Sequence, residues 1–365
     1  MCLTNNRYPR PSVSFSKTIL LGLEILDGSE VEHVVGYCNK VMTASPSASP
    51  TTTSGRGLRG SRPVSPSRRG SRSTAPSLGL LVPRRRGPVT QPVDFDWNTP
   101  APTSAVTSGI VVGNAMLIAI PATPGSVTSA NLIPVGKYPT FMQDYANAVA
   151  TPIYGSAGMR RGGTLRSMSV EIVRGFDNGT YDVLIAPNAK AIVKAIEMVD
   201  PAKRPQVNAE LYKTLDKLYP RWTFLLFCFS EDTADKAGCA LVRYKPMAEF
   251  KHLLYLPGLD GHNGEVEQGK VELDHTLVVG SYKMSRTANT SSVTFSDRGV
   301  TQAMPFLPSQ VIGKVVPAGT RVSQGDFLLN LADVRQGNFR AKRALPPGWQ
   351  KVFAAPATPQ DFIEK

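Results

Sequence analysis

Between Thr43 and Val93 the chain carries no Asp, Glu or Lys, while Arg56, Arg59, Arg62, Arg68, Arg69, Arg72, Arg84, Arg85 and Arg86 are spread among Ser, Pro, Thr and Gly. A stretch of this composition cannot bury enough apolar surface to offset the entropy of ordering its backbone, so it is expected to be disordered. Any core must come from the residues on either side. Within the tract, Ser61-Arg62-Pro63, Ser67-Arg68-Arg69-Gly70 and Pro83-Arg84-Arg85-Arg86-Gly87-Pro88 space guanidinium forks along a tether. Forks of that kind suit phosphate oxygens, so the tract reads as a nucleic-acid-binding arm. The blander reading is a solvated basic linker or a nuclear-localisation signal. The absence of any carboxylate over the whole tract favours phosphate contact.

The rest of the composition agrees. The chain has 365 residues, 41% of them apolar, enough for at least one sizeable core. Its formal charge of +13 and pI near 9.6 call for a polyanionic partner. Cys2, Cys38, Cys228 and Cys239 form no C-x-x-C pair, and the histidines are His33, His252, His262 and His275. Neither a zinc module nor a disulfide framework is expected from that spacing, and a reducing compartment fits. The longest apolar run, Phe224 to Phe229, is the length of a strand and not of a membrane span.

Four segments follow. Residues 1–42 form a preface, in which Ile19, Leu20, Leu21, Leu23, Ile25, Leu26, Val31, Val34 and Val35 suggest a short amphipathic helix. Met42 opens the low-complexity stretch, so it is read as an alternative or true start. Residues 43–93 are the basic arm. A folded domain, 94–334, begins near Asp94-Phe95-Asp96-Trp97, and residues 335–365 form a basic, Pro-rich tail.

Within the domain, strand-like runs are expected around Ile110–Val112, Met116–Ile120, Leu165–Arg174, Tyr181–Ala186, Trp222–Ser230, Cys239–Tyr244, Val271–Met284, Ser292–Phe295, Val311–Val316 and Phe327–Leu331. The Val271 run changes face near Thr276, as a strand with a bulge would. Helices are expected over Asn188–Val199 and Val207–Tyr219, opened by Asn188 and Asn208 and stopped by Pro201 and Pro220. Short strands with two helices confined to connections predict a mainly β fold, an antiparallel sandwich or barrel.

Catalytic signatures are missing. There is no phosphate-cradling glycine motif between strand and helix, no nucleophile elbow, and no Cys-His pairing that the sequence can display. Cys228, inside Phe224–Phe229, reads as a buried apolar group. Arg160-Arg161-Gly162-Gly163-Thr164 reads as a loop leading into a strand, with an RNA-facing turn as the rival reading. Glu231, Asp232 and Asp235, and Asp260, Glu265 and Glu267, could present oxygens to calcium, although wet loops gather carboxylates anyway. Arg335, Arg340, Lys342, Arg343 and Lys351 are interleaved with Phe339, Trp349 and Phe353. Docking of these aromatics onto a protein surface is preferred over base stacking.

An acid-free arginine arm, a Ser/Thr/Pro/Gly hinge and a domain of short strands together resemble the coat proteins of small icosahedral RNA viruses, of tombusvirus-like, sobemovirus-like or nodavirus-like type. The resemblance is one of architecture over Thr43 to Leu331. It implies a jelly-roll sandwich with no catalytic role, no resident cofactor, and calcium between subunits in part of that group. It further implies self-assembly of many copies around single-stranded RNA, with the virion and the host cytoplasm or nucleus as locations and no membrane partner. The rival is a movement protein or other RNA-coating protein that forms no shell. Such a protein is expected to carry its basic segment inside or after the fold.

Overall fold

The apolar run from Ile19 to Leu26 folds as a strand, not as the helix its composition suggested. In the computed structural model, which describes residues 2–3, 13–43, 113–150, 169–234, 236–259, 266, 269–344 and 362–364, the chain begins with β1 (Cys2–Leu3), β2 (Val13–Asp27) and β3 (Glu30–Thr43). The last two form a long hairpin, turned at Gly28-Ser29 with Gly28 at φ 62°, which suits a residue without a Cβ. The chain continues through β4 (Asn114–Ile120), α1 (Phe141–Ala150), β5 (Glu171–Phe176), β6 (Tyr181–Ala186), α2 (Ala189–Ala195), α3 (Ala209–Leu218), β7 (Thr223–Phe229), β8 (Cys239–Tyr244) and β9 (Leu253–Leu256). It ends with β10 (Lys270–Leu273), β11 (Thr276–Ser281), β12 (Ser291–Ser292), α4 (Gly299–Ala303), β13 (Gln310–Val315), β14 (Thr320–Ser323), β15 (Asp326–Asn330), α5 (Leu331–Arg335), β16 (Arg340–Ala344) and β17 (Phe362–Glu364).

The result is mainly β. A six-stranded sheet has the order β12-β13-β11-β2-β3-β8, a five-stranded sheet β1-β4-β7-β6-β5, a four-stranded sheet β17-β16-β15-β9, and β10 pairs with β14 alone. Among the described residues the strand-to-strand pairings are antiparallel except one. β2 runs parallel to β11, with Leu21 opposite Val278 and Leu23 opposite Gly280. The expectation of purely antiparallel pairing is corrected there.

That central position explains the apolar run. Leu21, Leu23, Ile25 and Val34 share a core with Phe141, Met142 and Tyr145 of α1 on one face of the sheet. On the other face Gly22 lies so close to β9 that an added Cβ would stand 2.8 Å from Leu256 Cδ2. A strand covered on both faces needs apolar residues at consecutive positions, and a continuous run loses the alternation by which a half-buried strand is recognised.

The helices at Asn188 and Asn208 form as expected. Asn188 accepts a hydrogen bond from Ala191 N at 2.7 Å and Asn208 one from Leu211 N at 3.3 Å, so both are N-caps. The first tightens into a 3-10 turn at Ile196–Met198 before Val199. α1, α4 and α5 were not expected. Two further corrections concern strands. Val271–Met284 is not one bulged strand: β10 and β11 belong to different sheets, with Asp274 and His275 at the crossing. Within Leu165–Arg174 the described strand begins only at Glu171.

Candidate nucleic-acid interface

All nine tract arginines, Arg56 through Arg86, lie outside the described residues. The structure does describe where the chain leaves the fold before the tract and where it returns. The chain leaves at Thr43, the end of β3 in the six-stranded sheet, and returns at Gly113, ahead of β4 in the five-stranded sheet. The basic segment is therefore flanked on both sides by elements of the fold. The arm was expected to precede a folded domain of residues 94–334; that is corrected, because β2 and β3 before it belong to the fold. Sequence reasoning missed this because the hairpin before it did not read as part of a sheet.

Both anchor points are tightly built. On the outgoing side, Asn39 N donates to Gly238 O at 2.7 Å, Thr18 Oγ1 donates to Asn39 Oδ1 at 2.6 Å, and Asn39 Nδ2 donates to Tyr37 Oη at 2.8 Å. Directly beside them Cys38 and Cys239 are opposite one another across β3 and β8, with Cα atoms 4.0 Å apart, and are joined by a disulfide. The expectation of no disulfide is corrected here. Their separation of 201 residues hides a pairing that only the strand register reveals. On the returning side Gly113 N donates to Arg204 O at 3.0 Å, and an added Cβ would fall 2.1 Å from the carbonyl carbon of Lys203. Only glycine allows that approach.

The basic residues near the return point serve the fold. Lys203 Nζ donates to Gly179 O at 2.6 Å and pairs with Asp182 at 3.4 Å, while Arg204 bonds Glu197 and donates to Val199 O at 3.1 Å. Burial pushes the Asp182 carboxyl up, but hydrogen bonds from Gly175 N and Asp200 N together with the Lys203 charge outweigh it and leave its pKa lowered.

Two members of the second basic cluster, Arg335 and Arg343, likewise serve the fold, while Arg340 and Lys342 lie on β16. Arg335 clamps the carboxylate of Glu24, and Arg343 stands 4.6 Å over the Phe327 ring and donates to Gly258 O at 3.0 Å. Phe339 is buried, in accord with docking onto the protein. Lys351, Trp349 and Phe353 lie outside the described residues, as do Arg160, Arg161, Gly162, Gly163 and Thr164.

A buried polar network joins the β2–β3 hairpin to α5. Glu24, fully buried, accepts from Arg335 and from Ser281 Oγ and faces His33 across the hairpin. Burial raises its pKa, but the Arg335 and Ser281 hydrogen bonds win and hold it below the usual value. His33 is 1% exposed, its ring edge-on to Tyr244 at 5.9 Å, and neither ring nitrogen finds a hydrogen-bond partner among the described residues. Burial, with the Arg335 charge adding to it and Glu24 opposing, lowers its pKa to about 4.

Other candidate chemistry is sparse. Glu231 and Asp232 are exposed in a 3-10 turn, and Asp235, Asp260, Glu265 and Glu267 lie outside the described residues. Among the described residues no group of His, Cys, Asp and Glu is arranged to hold a metal, and no helix is long and apolar enough to cross a membrane. Cys228 is fully buried, with its thiol pKa pushed up by burial. A cleft of about 520 Å³ is lined by Leu132, Ile133, Lys137, Asp177, Arg243 and Met304 among others. Its Arg243 is already paired with Asp27 at 3.2 Å.

No known protein family matches the sequence, and no curated protein matches it. Among solved structures, the crystal structure of baculovirus P35 aligns at 13% identity with TM-score 0.34, covering 87% of this chain and 89% of that one. A mutated baculovirus P35 after caspase cleavage aligns at 10% identity with TM-score 0.36, covering 87% and 92%. Likeness at that level carries no statement about fold or function.

Proposed function

We propose that this chain is a structural nucleic-acid-binding protein of viral coat type, which packages single-stranded RNA by way of its arginine tract and assembles in many copies through its β domain. The observation that carries the reading is the tract itself: nine arginines and no carboxylate over Thr43–Val93 in a chain of net charge +13. Arginines of this kind neutralise phosphates and release counterions, a contact that is strong at low salt and indifferent to base sequence. In this proposal the β domain is a jelly-roll shell unit, and the virion is where the protein resides. The mainly β architecture supports that reading, while the parallel β2–β11 pair is a feature that a double Greek key does not require.

A second reading has a specific observation in its favour. A movement-type or other RNA-coating protein that forms no shell is expected to carry its basic segment inside the fold, and the segment is bracketed by β3 and β4. Both readings share the phosphate-binding tract.

The shared claim is tested by replacing Arg56, Arg59, Arg62, Arg68, Arg69, Arg72, Arg84, Arg85 and Arg86 with Gln and measuring single-stranded RNA affinity across a salt series. The intact chain is expected to lose affinity steeply with salt, with a log–log slope of about −0.7 per neutralised phosphate. The variant should bind weakly with a shallow slope. Equal slopes for the two proteins would overturn the assignment.

A further inference from the structure

We propose that Cys38 and Cys239 form a reversible redox latch that closes the basic segment and the elements up to β8 into one covalent ring. The register places the two residues directly opposite each other on antiparallel neighbours, at the close Cα spacing of 4.0 Å that favours side-chain contact. Both are half-buried at the margin of the core shared with α1, whereas Cys228 is sealed inside β7. A small thiol or disulfide in solution therefore has a route to the pair and none to Cys228. The surroundings hold the two strands in register independently of the bond: Asn39 N donates to Gly238 O, and Tyr181 Oη donates to Cys239 O at 3.2 Å.

The chemistry needs a low-molecular-weight disulfide such as oxidised glutathione as the electron acceptor. The thiolate of one cysteine attacks a sulfur of that disulfide, forming a mixed disulfide and expelling one glutathione thiolate. The second cysteine's thiolate attacks the protein sulfur of the mixed disulfide, forming the Cys38–Cys239 bond and expelling the second glutathione thiolate. The two cysteines lose two protons and two electrons in all, and one oxidised glutathione becomes two reduced. Excess reduced thiol runs the same steps backwards.

The consequence follows from connectivity. With the latch closed, the hairpin before the basic tract stays bonded to β8 even if the chain is cut between Thr43 and Gly113. With it open, the hairpin is held by noncovalent contacts alone, among them strand pairing, burial and the Glu24–Arg335 ion pair, and denaturant releases it. Nothing in this depends on nucleic-acid binding, so the latch and the proposed function stand or fall separately.

The test uses the full chain, equilibrated in buffers of stepped oxidised-to-reduced glutathione ratio, trapped with iodoacetamide and nicked with trypsin, whose cleavage sites include the tract arginines. In oxidising buffer, a denaturing gel without reductant should keep the N-terminal fragment attached, and complete digestion should yield a peptide joining Cys38 to Cys239. Cys228 should be alkylated only after denaturation. In reducing buffer the native protein should take up iodoacetamide at both Cys38 and Cys239, and the fragment should separate on the same gel. Cys239→Ser should release it at every ratio, and the cross-linked peptide of the wild type gives the same answer without any variant. The proposal is overturned if Cys38 and Cys239 are alkylated in oxidising buffer, or if the bond resists reduced glutathione until the protein is unfolded.

Discussion

Arg335 holds the buried carboxylate of Glu24 with two nitrogens of its guanidinium, tying the middle strand of the six-stranded sheet to α5 near the other end of the chain. A charge this deeply buried is tolerable only while its partner is present. Truncating Arg335→Ala strands Glu24 and should cost about 2–4 kcal/mol, reduced from the fully buried case because the Arg335 side chain is itself 35% exposed. Glu24→Gln with Arg335→Ala should be milder than Arg335→Ala alone. A double-mutant cycle in urea measures the coupling.

The same network gives stability a pH dependence. His33 has a pKa near 6.5 unfolded and about 4 folded, so between those values the unfolded chain binds the proton and the folded one does not. Stability should therefore fall as pH drops from 6.5 towards 4, by at most about 3 kcal/mol for this residue. Glu24, whose folded pKa is lowered, contributes stability above its unfolded value of 4.5 that is lost as pH falls through its folded value, extending the decline. Glu32 and Asp326, both raised chiefly by burial, act with the opposite sign and flatten the slope. His275, whose pKa burial also lowers, adds to the decline with the same sign. His33→Phe should therefore remove the His33 share of the change between pH 6.5 and 4 and leave that of His275, as read from urea midpoints at each pH.

Removing residues 1–41, so that the chain begins at Met42, should abolish folding. Leu20, Leu21, Leu23, Ile25, Val34 and Val35 are at most 1% exposed. At roughly 1.5–3 kcal/mol per buried aliphatic side chain, their loss rivals the whole stability of a typical domain. The shortened chain should be insoluble or lack near-ultraviolet circular dichroism, while the full chain shows a cooperative transition.

Gly113→Ala tests the return anchor. Its Cβ would sit 2.1 Å from the Lys203 carbonyl carbon, a backbone atom that cannot swing aside. The substitution should destabilise by about 1–3 kcal/mol. Alanine at Gly28, where nothing lies within 4 Å but φ is 62°, should cost only about 1 kcal/mol from backbone strain.

Legibility in the sequence followed the range of the interaction that fixed each element. Tyr181–Ala186 and Cys239–Tyr244 form strands at the expected residues, and Asn188 and Asn208 cap the expected helices, because strand composition and capping are local signals. Burial of Cys228 was readable from its apolar neighbours. The hairpin of β2 and β3 was not, because coverage on both faces erased its alternation. α1 could have been found from Phe141, Met142 and Tyr145, whose spacing puts them on one helical face, but the run is short and follows a Gly/Pro-rich stretch. Cys38–Cys239 and Glu24–Arg335 join residues 201 and 311 positions apart, and no local pattern announces either contact. Of the candidate interface, the composition of the tract was legible, while its two points of attachment to the fold required the sheets.

The most direct test of the coat-protein reading is sedimentation of the full-length chain with single-stranded RNA at low and high salt, recording protein and nucleic-acid absorbance together and treating the fractions with nuclease. Fast, uniform particles are expected, whose RNA survives nuclease and whose formation depends on the tract arginines. A slow species that binds RNA, sheds it with salt and leaves it open to nuclease would contradict shell formation and support the unassembled RNA-coating protein instead.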